Sequence, residues 1–164
     1  MHKSGLAAKR SATTLANNGS MNDRHGYFFE DLSPGMSAVF SKTITEADLL
    51  MFAGVSGDTN PLHLDEEFAS RTMFESRIAH GMLTASLVST VLGTKLPGPG
   101  AVYVSQSVRF LAPVRVGDTV VARAVVREIV PEKRRVKLAT SCQVGDKLVL
   151  DGEAVLMVPL RNGA

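Results

Sequence analysis

The order of segments in the chain predicts an α+β fold in which a curved, mostly antiparallel β-sheet wraps a central apolar α-helix. Three observations carry this prediction. One alternating segment precedes a group of helical ones, residues 81–93 carry no charge on any side, and everything after Gly100 reads as four alternating strands. A soluble helix that is apolar all round must be covered on more than one side, and a sheet curled about it supplies the cover.

The 164 residues, 45% hydrophobic and 21% charged, suit one globular domain with a sizeable core. A net charge of +2, with Lys and Arg scattered along the chain, argues against nucleic acid as a partner. The single Cys142 excludes an intrachain disulfide framework. Its place in an alternating apolar run makes it a buried strand residue and points to a reducing compartment. The longest uncharged stretch, residues 81–94, falls short of the roughly 20 residues that span a bilayer, so no membrane segment is expected. Residues 1–20 are rich in Ala, Ser, Thr and Asn, with Lys3, Lys9 and Arg10 and no acidic residue. That composition gives a flexible extension over residues 1–26 before a domain at 27–160, in a cytoplasmic protein. The alternative is a transit peptide to a mitochondrion or other organelle, with Met21 a possible second start.

Taken in order, Met36 to Thr43 alternates as a first strand with Ala38 and Phe40 on one face. Thr45 caps the next helix and Asp48 stands at its third position, a shortened capping box. The helix runs from Glu46 to Ser56, with Leu49, Phe52, Ala53 and Ser56 turned inward and Gly57 as its stop. Residues 58–63 follow as a loop, because Pro61 has no amide hydrogen and pushes Asn60 out of helical dihedrals. Asp58 or Asn60 can fix that loop further by an Asx turn. Asp65 caps a short helix through Ala69, and residues 71–78 are irregular. The uncharged helix then starts at Gly81 and ends at Leu96-Pro97-Gly98-Pro99-Gly100.

Strands follow at residues 102–110, 120–126, 136–144 and 148–156, each alternating in apolar character. Turn signals at Gly117-Asp118, Pro131-Glu132-Lys133 and Gly145-Asp146 join them into an antiparallel meander.

Asp58 and His63 stand five positions apart across a proline turn, close enough to face one cavity. A carboxylate and an imidazole form a competent general base and acid. Spacing alone is a weak signal, more often met by a turn-capping Asp and a satisfied histidine. His80-Gly81 adds to it, because Gly81 would open the buried helix with a free amide backed by the helix dipole, suited to a developing oxyanion. Gly81 can equally mark close packing, and His80 reads first as a buried, hydrogen-bonded histidine. Ser86 and Ser89 lie on the uncharged helix without a Gly-x-Ser-x-Gly elbow, which argues against a serine hydrolase. No His-x3-His, Cys-x2-Cys or Gly-rich phosphate loop is present, so no metal or nucleotide site is expected.

The run from Phe52 to Asp65, with Ile78-Ala79-His80-Gly81-Met82-Leu83, resembles the signature of the MaoC-like (R)-specific enoyl-CoA hydratases. The similarity spans roughly Tyr27 to Pro159 and is nearest the short, single-domain hydratases that feed polyhydroxyalkanoate synthesis. It implies a hot-dog fold, with the sheet as the bun and the Gly81 helix as the sausage, in a homodimer whose sheets join side by side. The implied reaction is reversible hydration of a trans-2-enoyl-CoA to an (R)-3-hydroxyacyl-CoA. Asp58 and His63 match the catalytic pair and the Gly81 amide the donor to the thioester oxygen. Asn60 matches a residue shaping the loop, Ser89 a helix serine near the site, and Leu92 a residue lining a short acyl pocket. No cofactor is implied beyond coenzyme A as part of the substrate. Arg109, Arg123 and Arg127 can meet its phosphates, although solvated strand faces explain them as well.

Three other readings remain: a dehydratase acting on acyl carrier protein, a hot-dog acyl-CoA thioesterase, and an inactive scaffold subunit, which would be expected to lack the Asp58–His63 pair.

Overall fold

The computed structural model of the chain describes residues 25–162. The expected extension and the start at Met21 lie outside the described residues, except at His25 and Gly26, which already belong to the folded body. Gly26 N–H donates to the Pro99 carbonyl at 2.8 Å and Tyr27 N–H to that of Pro97 at 2.7 Å. A Cβ on Gly26 would stand 2.2 Å from the Pro97 oxygen, so this segment packs where only glycine fits.

Strand β1, Ser37–Thr43, half-buries Ala38 and Phe40 as its alternation requires. Helix α1, Glu46–Ser56, follows with both halves of the capping box formed: Asp48 N–H donates to Thr45 Oγ1 at 3.3 Å and Thr45 N–H to Asp48 Oδ2 at 2.8 Å. Gly57 closes the helix at φ 77°, in the left-handed region that glycine reaches without strain. Leu49 and Ala53 are buried as expected, but Ser56 is exposed. Its hydroxyl donates to the Phe52 carbonyl at 2.6 Å and is satisfied on the helix itself.

Two short helices come next, α2 at Pro61–Leu64 and α3 at Glu66–Ser70, the second capped by Asp65 Oδ1, which accepts Phe68 N–H at 3.0 Å. The uncharged helix α4 spans Gly81–Thr94. Strands β2, Val102–Phe110, β3, Thr119–Val130, β4, Arg135–Val144, and β5, Lys147–Met157, complete the chain.

All five strands form one antiparallel sheet in the order β1-β3-β4-β5-β2. Only β3, β4 and β5 make a meander. The expectation of a meander through all four C-terminal strands fails at β2, which pairs with β5 at the far edge. Alternation sets which side of a strand is buried but not which strand lies beside it, and α4 carries the chain across the sheet before β2 begins. A second departure is a bulge in the β4–β5 ladder. Cys142 pairs with Leu150 and Gln143 with Leu148, leaving Val149 between them. Val149 and Leu150 are therefore both buried, whereas Leu148, expected on the inner face, is 37% exposed.

The helix α4 packs on β1, β3 and β4, burying Leu83, Leu87, Val88, Val91 and Leu92 against Val120, Ala122, Ala124, Leu138 and Cys142. Within the single chain the cover is incomplete. Met82, Ser86, Ser89 and Gly93, at helical spacing, form an exposed uncharged stripe.

Burial pushes the Asp48 carboxyl up, but hydrogen bonds from the Thr45 hydroxyl and amide, with Lys42 Nζ at 3.1 Å, outweigh it and hold the group below its usual value. A carboxyl depressed in the folded state stabilises fully above its unfolded pKa and loses that contribution as pH falls through the folded one. Urea unfolding at a series of pH values should thus show stability dropping below about pH 4. Asp48→Asn is expected to flatten that limb and to cost about 1 kcal/mol at neutral pH through the weakened cap.

Candidate active site

Gly57 ends α1 and turns the chain into a series of short side-chain-to-backbone hydrogen bonds. Ser56 Oγ accepts Asp58 N–H at 3.1 Å, Asp58 Oδ1 accepts Asn60 N–H at 3.3 Å, and Asn60 Oδ1 accepts Leu62 N–H at 3.1 Å. Asn60 is thereby the N-cap of α2 and Pro61 its first residue, where a missing amide hydrogen costs nothing. His63 consequently sits on a helical turn rather than on the loop that Pro61 suggested.

His63 is 8% exposed and its Nδ1 lies 2.8 Å from the Ile78 carbonyl oxygen. That acceptor places the hydrogen on Nδ1 and leaves Nε2 as the nitrogen that can gain and lose a proton. His80, 1% exposed, lies against His63 with ring centroids 3.8 Å apart and the planes tilted by 33°, and its Nε2 donates to the Asp58 main-chain carbonyl at 3.0 Å.

The segment that carries Ile78 and His80 is pinned along its length. Arg77 donates to Glu46 at 2.6 and 2.9 Å and through Nε to Glu66 at 3.2 Å. Arg115 donates to the Phe74 carbonyl at 2.7 Å and to Ser76 Oγ. Ile78 N–H reaches the Leu62 carbonyl at 3.2 Å and Ala79 N–H that of Val114 at 2.7 Å. The carbonyl that aims His63 is fixed on both sides of its own residue.

Asp58, His63, His80 and Gly81 line one open cavity of about 500 Å³, whose remaining walls are mostly apolar, including Met73, Phe74, Phe110 and Val149. Neither Lys nor Arg is among the lining residues. Gly81 is the first residue of α4, so its amide is one of the first-turn donors without a partner inside the helix. Close packing holds as well, since a Cβ there would stand 2.9 Å from Phe110 Cε1.

One ligand atom each from Asp58, His63 and His80 lies within 4.8 Å of the other two, and these are the residues that could hold a cation. Each imidazole has one nitrogen committed to a main-chain carbonyl, so it has one left to offer. Asp58 and His63 share one segment of the sequence, and His80 joins them from the N-terminus of α4, 17 positions beyond His63.

Of the residues expected at the site, Asp58, His63, His80 and Gly81 meet at the cavity, and Asn60 holds its loop. Ser89 and Leu92 do not line it. Leu92 is 0% exposed in the core, and Ser89 lies on the open stripe of α4, two turns beyond Gly81. Phe110 and Val149 were not singled out in the sequence, and Ile78 only as part of the signature, without a role at the site. Alternation marked Phe110 only as a strand residue, and the bulge that places Val149 leaves no sequence signal. Arg109 is occupied by Asp151 at 2.7 Å, and Arg123 and Arg127 are exposed on the sheet, as solvated faces require. Burial pushes the Cys142 thiol up to about 12, which leaves it inert.

Residues 31–149 match the model of the family described as "MaoC like domain". The (R)-specific enoyl-CoA hydratase of Rhodospirillum rubrum is 54% identical over 87% of this chain and 99% of its own. The 3-hydroxybutyryl-CoA dehydratase of Methylorubrum extorquens is 54% identical over 84% of this chain and 87% of its own. Among solved structures, the unliganded R-hydratase PhaJ1 of Pseudomonas aeruginosa superposes with a TM-score of 0.78 at 44% identity, covering 83% of this chain and 88% of its own.

Gly81→Ala should fold, because the ring it meets is 52% exposed and can yield. In urea unfolding it is expected to cost about 1–3 kcal/mol with Phe110 present. Phe110→Ala removes the obstruction, so the two changes together should cost less than their sum by at least about 0.5 kcal/mol. Additive costs would mean that the ring is not what confines Gly81.

Proposed function

The chain belongs to the MaoC-like domain family, and from that premise we propose that it hydrates trans-2-enoyl-CoA thioesters reversibly to (R)-3-hydroxyacyl-CoA. The observation that carries the proposal is the Asp58 carboxylate and the His63 imidazole facing the same apolar cavity as the first amide of α4.

In the hydration direction, water sits between Asp58 and His63. Its oxygen bonds C3 of the enoyl group as its proton passes to the Asp58 carboxylate, and the proton on His63 Nε2 passes to C2. The next water restores the pair by moving the proton from Asp58 to His63. Negative charge collects meanwhile on the thioester oxygen, where the Gly81 amide and the positive end of α4 stabilise it. The hydrogen bond from Nδ1 to Ile78 holds Nε2 on the cavity side of the ring throughout. No step requires a metal or redox cofactor, and coenzyme A enters with the substrate.

A short acyl group is part of the reading, supported by the dehydratase relative, whose name specifies a four-carbon acyl group. A homodimer is part of it too. The edge strand β2 exposes Val102, Tyr103, Val104 and Phe110 beside its unpaired backbone, and α4 leaves its uncharged stripe open. Both surfaces suit a second copy that extends the sheet. Cytoplasmic residence is proposed on the sole cysteine, held as a free buried thiol. No helix among the described residues is long and apolar enough to cross a membrane.

The test is loss of enoyl-thioester absorbance with crotonyl-CoA. Asp58→Asn and His63→Ala are each expected to lower turnover on the order of 10²–10⁴-fold while keeping the wild-type circular dichroism spectrum. Dialysis against a chelator should leave the wild-type rate unchanged. Folded wild-type protein that leaves crotonyl-CoA untouched would contradict the proposal for CoA substrates. Thiol release from a saturated acyl-CoA would indicate hydrolysis instead.

A further inference from the structure

We propose that His80 is a positioning residue for the hydration just described, acting as a fixed Nε2–H donor that sets the Asp58 main chain and the His63 ring relative to each other. The inference rests on that reading of the function and adds a residue that neither transfers a proton nor touches the reacting atoms.

Three of the groups on which the site depends converge on this side chain. Its Nε2 donates to the carbonyl of Asp58 at 3.0 Å, its ring packs on that of His63 at 3.8 Å between centroids with a 33° tilt, and its backbone immediately precedes the Gly81 amide as the N-cap of α4. On a further side Phe52, from α1, packs against the ring at 5.0 Å. A flat, rigid group filling this space therefore determines how far Asp58 stands from His63.

The chemistry explains why the ring is an imidazole rather than a phenyl. Asp58 follows Gly57, at the end of a helix, and its own side chain accepts only a 3.3 Å bond from Asn60. Without the donor from His80, its main-chain carbonyl would lose the contact that ties it to α4. The opposite nitrogen completes the assignment. His80 Nδ1 is buried and has no hydrogen-bond partner. A hydrogen placed there would be a buried donor without an acceptor, which the fold disfavours. The Nε2–H form is therefore the one the packing holds. Both imidazoles donate to a main-chain carbonyl, His63 through Nδ1 and His80 through Nε2, and it is His63 whose Nε2 is left for chemistry.

The test pairs His80→Gln, which can place an amide N–H where Nε2–H stands, with His80→Phe, which keeps a flat ring against His63 and loses the donor. A displacement of Asp58 of the order of 1 Å can cost on the order of 10²-fold in rate. His80→Phe should therefore lower kcat on crotonyl-CoA by about that factor with KM little changed, and His80→Gln should recover most of the loss. An independent readout is the long-range ¹⁵N–¹H spectrum of the wild-type histidines at neutral pH, where His80 should show the Nε2–H tautomer pattern. Wild-type turnover in His80→Phe would overturn the proposal. So would equal loss in a folded His80→Gln, or an Nδ1–H pattern. A wild-type protein without hydratase activity would instead sink the functional reading, while the nitrogen spectrum would still report the state of His80.

Discussion

The fourteen residues of α4 carry no charge, and such a helix persists in water only where other elements cover it. The sheet supplies that cover through the small and branched side chains of β3 and β4. Once the helix is held in this way, its N-terminus has a fixed place and direction. Amides that no helical carbonyl can satisfy then open into an apolar cavity, where a dipole is worth more than it would be in water. The acid–base pair is useful because it is aimed at this same point.

That aim is achieved mostly by backbone. His63 is oriented by the carbonyl of Ile78, and Asp58 is tied through its own carbonyl to His80. Two arginines are consumed in fastening the segment between α3 and α4: its own Arg77 reaches the carboxylates of Glu46 and Glu66, and Arg115 reaches in to its Phe74 carbonyl and Ser76 hydroxyl. They are structural clamps and not free cations for a phosphate. Loops that carry chemistry are commonly mobile, and here the cost of precision is met by hydrogen bonds to nearly every residue around the site.

Local chemistry was legible in the residues themselves. Thr45 with Asp48, Gly57, and Asp65 each announce a helix end because the group that caps lies within four residues of what it caps. The apolar periods of β3 and β4 similarly reveal which face is buried. What escaped was non-local or cooperative. Pro61 reads as a helix breaker until Asn60 is seen to cap the turn that it begins. The far-edge position of β2 depends on where α4 delivers the chain, and the Val149 bulge on a register that only the partner strand can set. At the site, Asp58, His63 and Gly81 could be named from their motif, whereas the contact of Phe110 with Gly81 joins residues far apart in sequence. Leu92 and Ser89 were placed at the pocket by resemblance, but the single chain holds one in its core and the other on its open face.

The account makes Asp58 and His63 work from one side of the substrate, with their ligand atoms within 4.8 Å of each other. The most direct measurement is hydration of crotonyl-CoA in deuterium oxide, with the configuration of C2 and C3 in the product resolved by NMR. The account predicts an (R) alcohol at C3 with deuterium at C2 added to the same face as the hydroxyl. Addition to opposite faces, or an (S) alcohol, would contradict it.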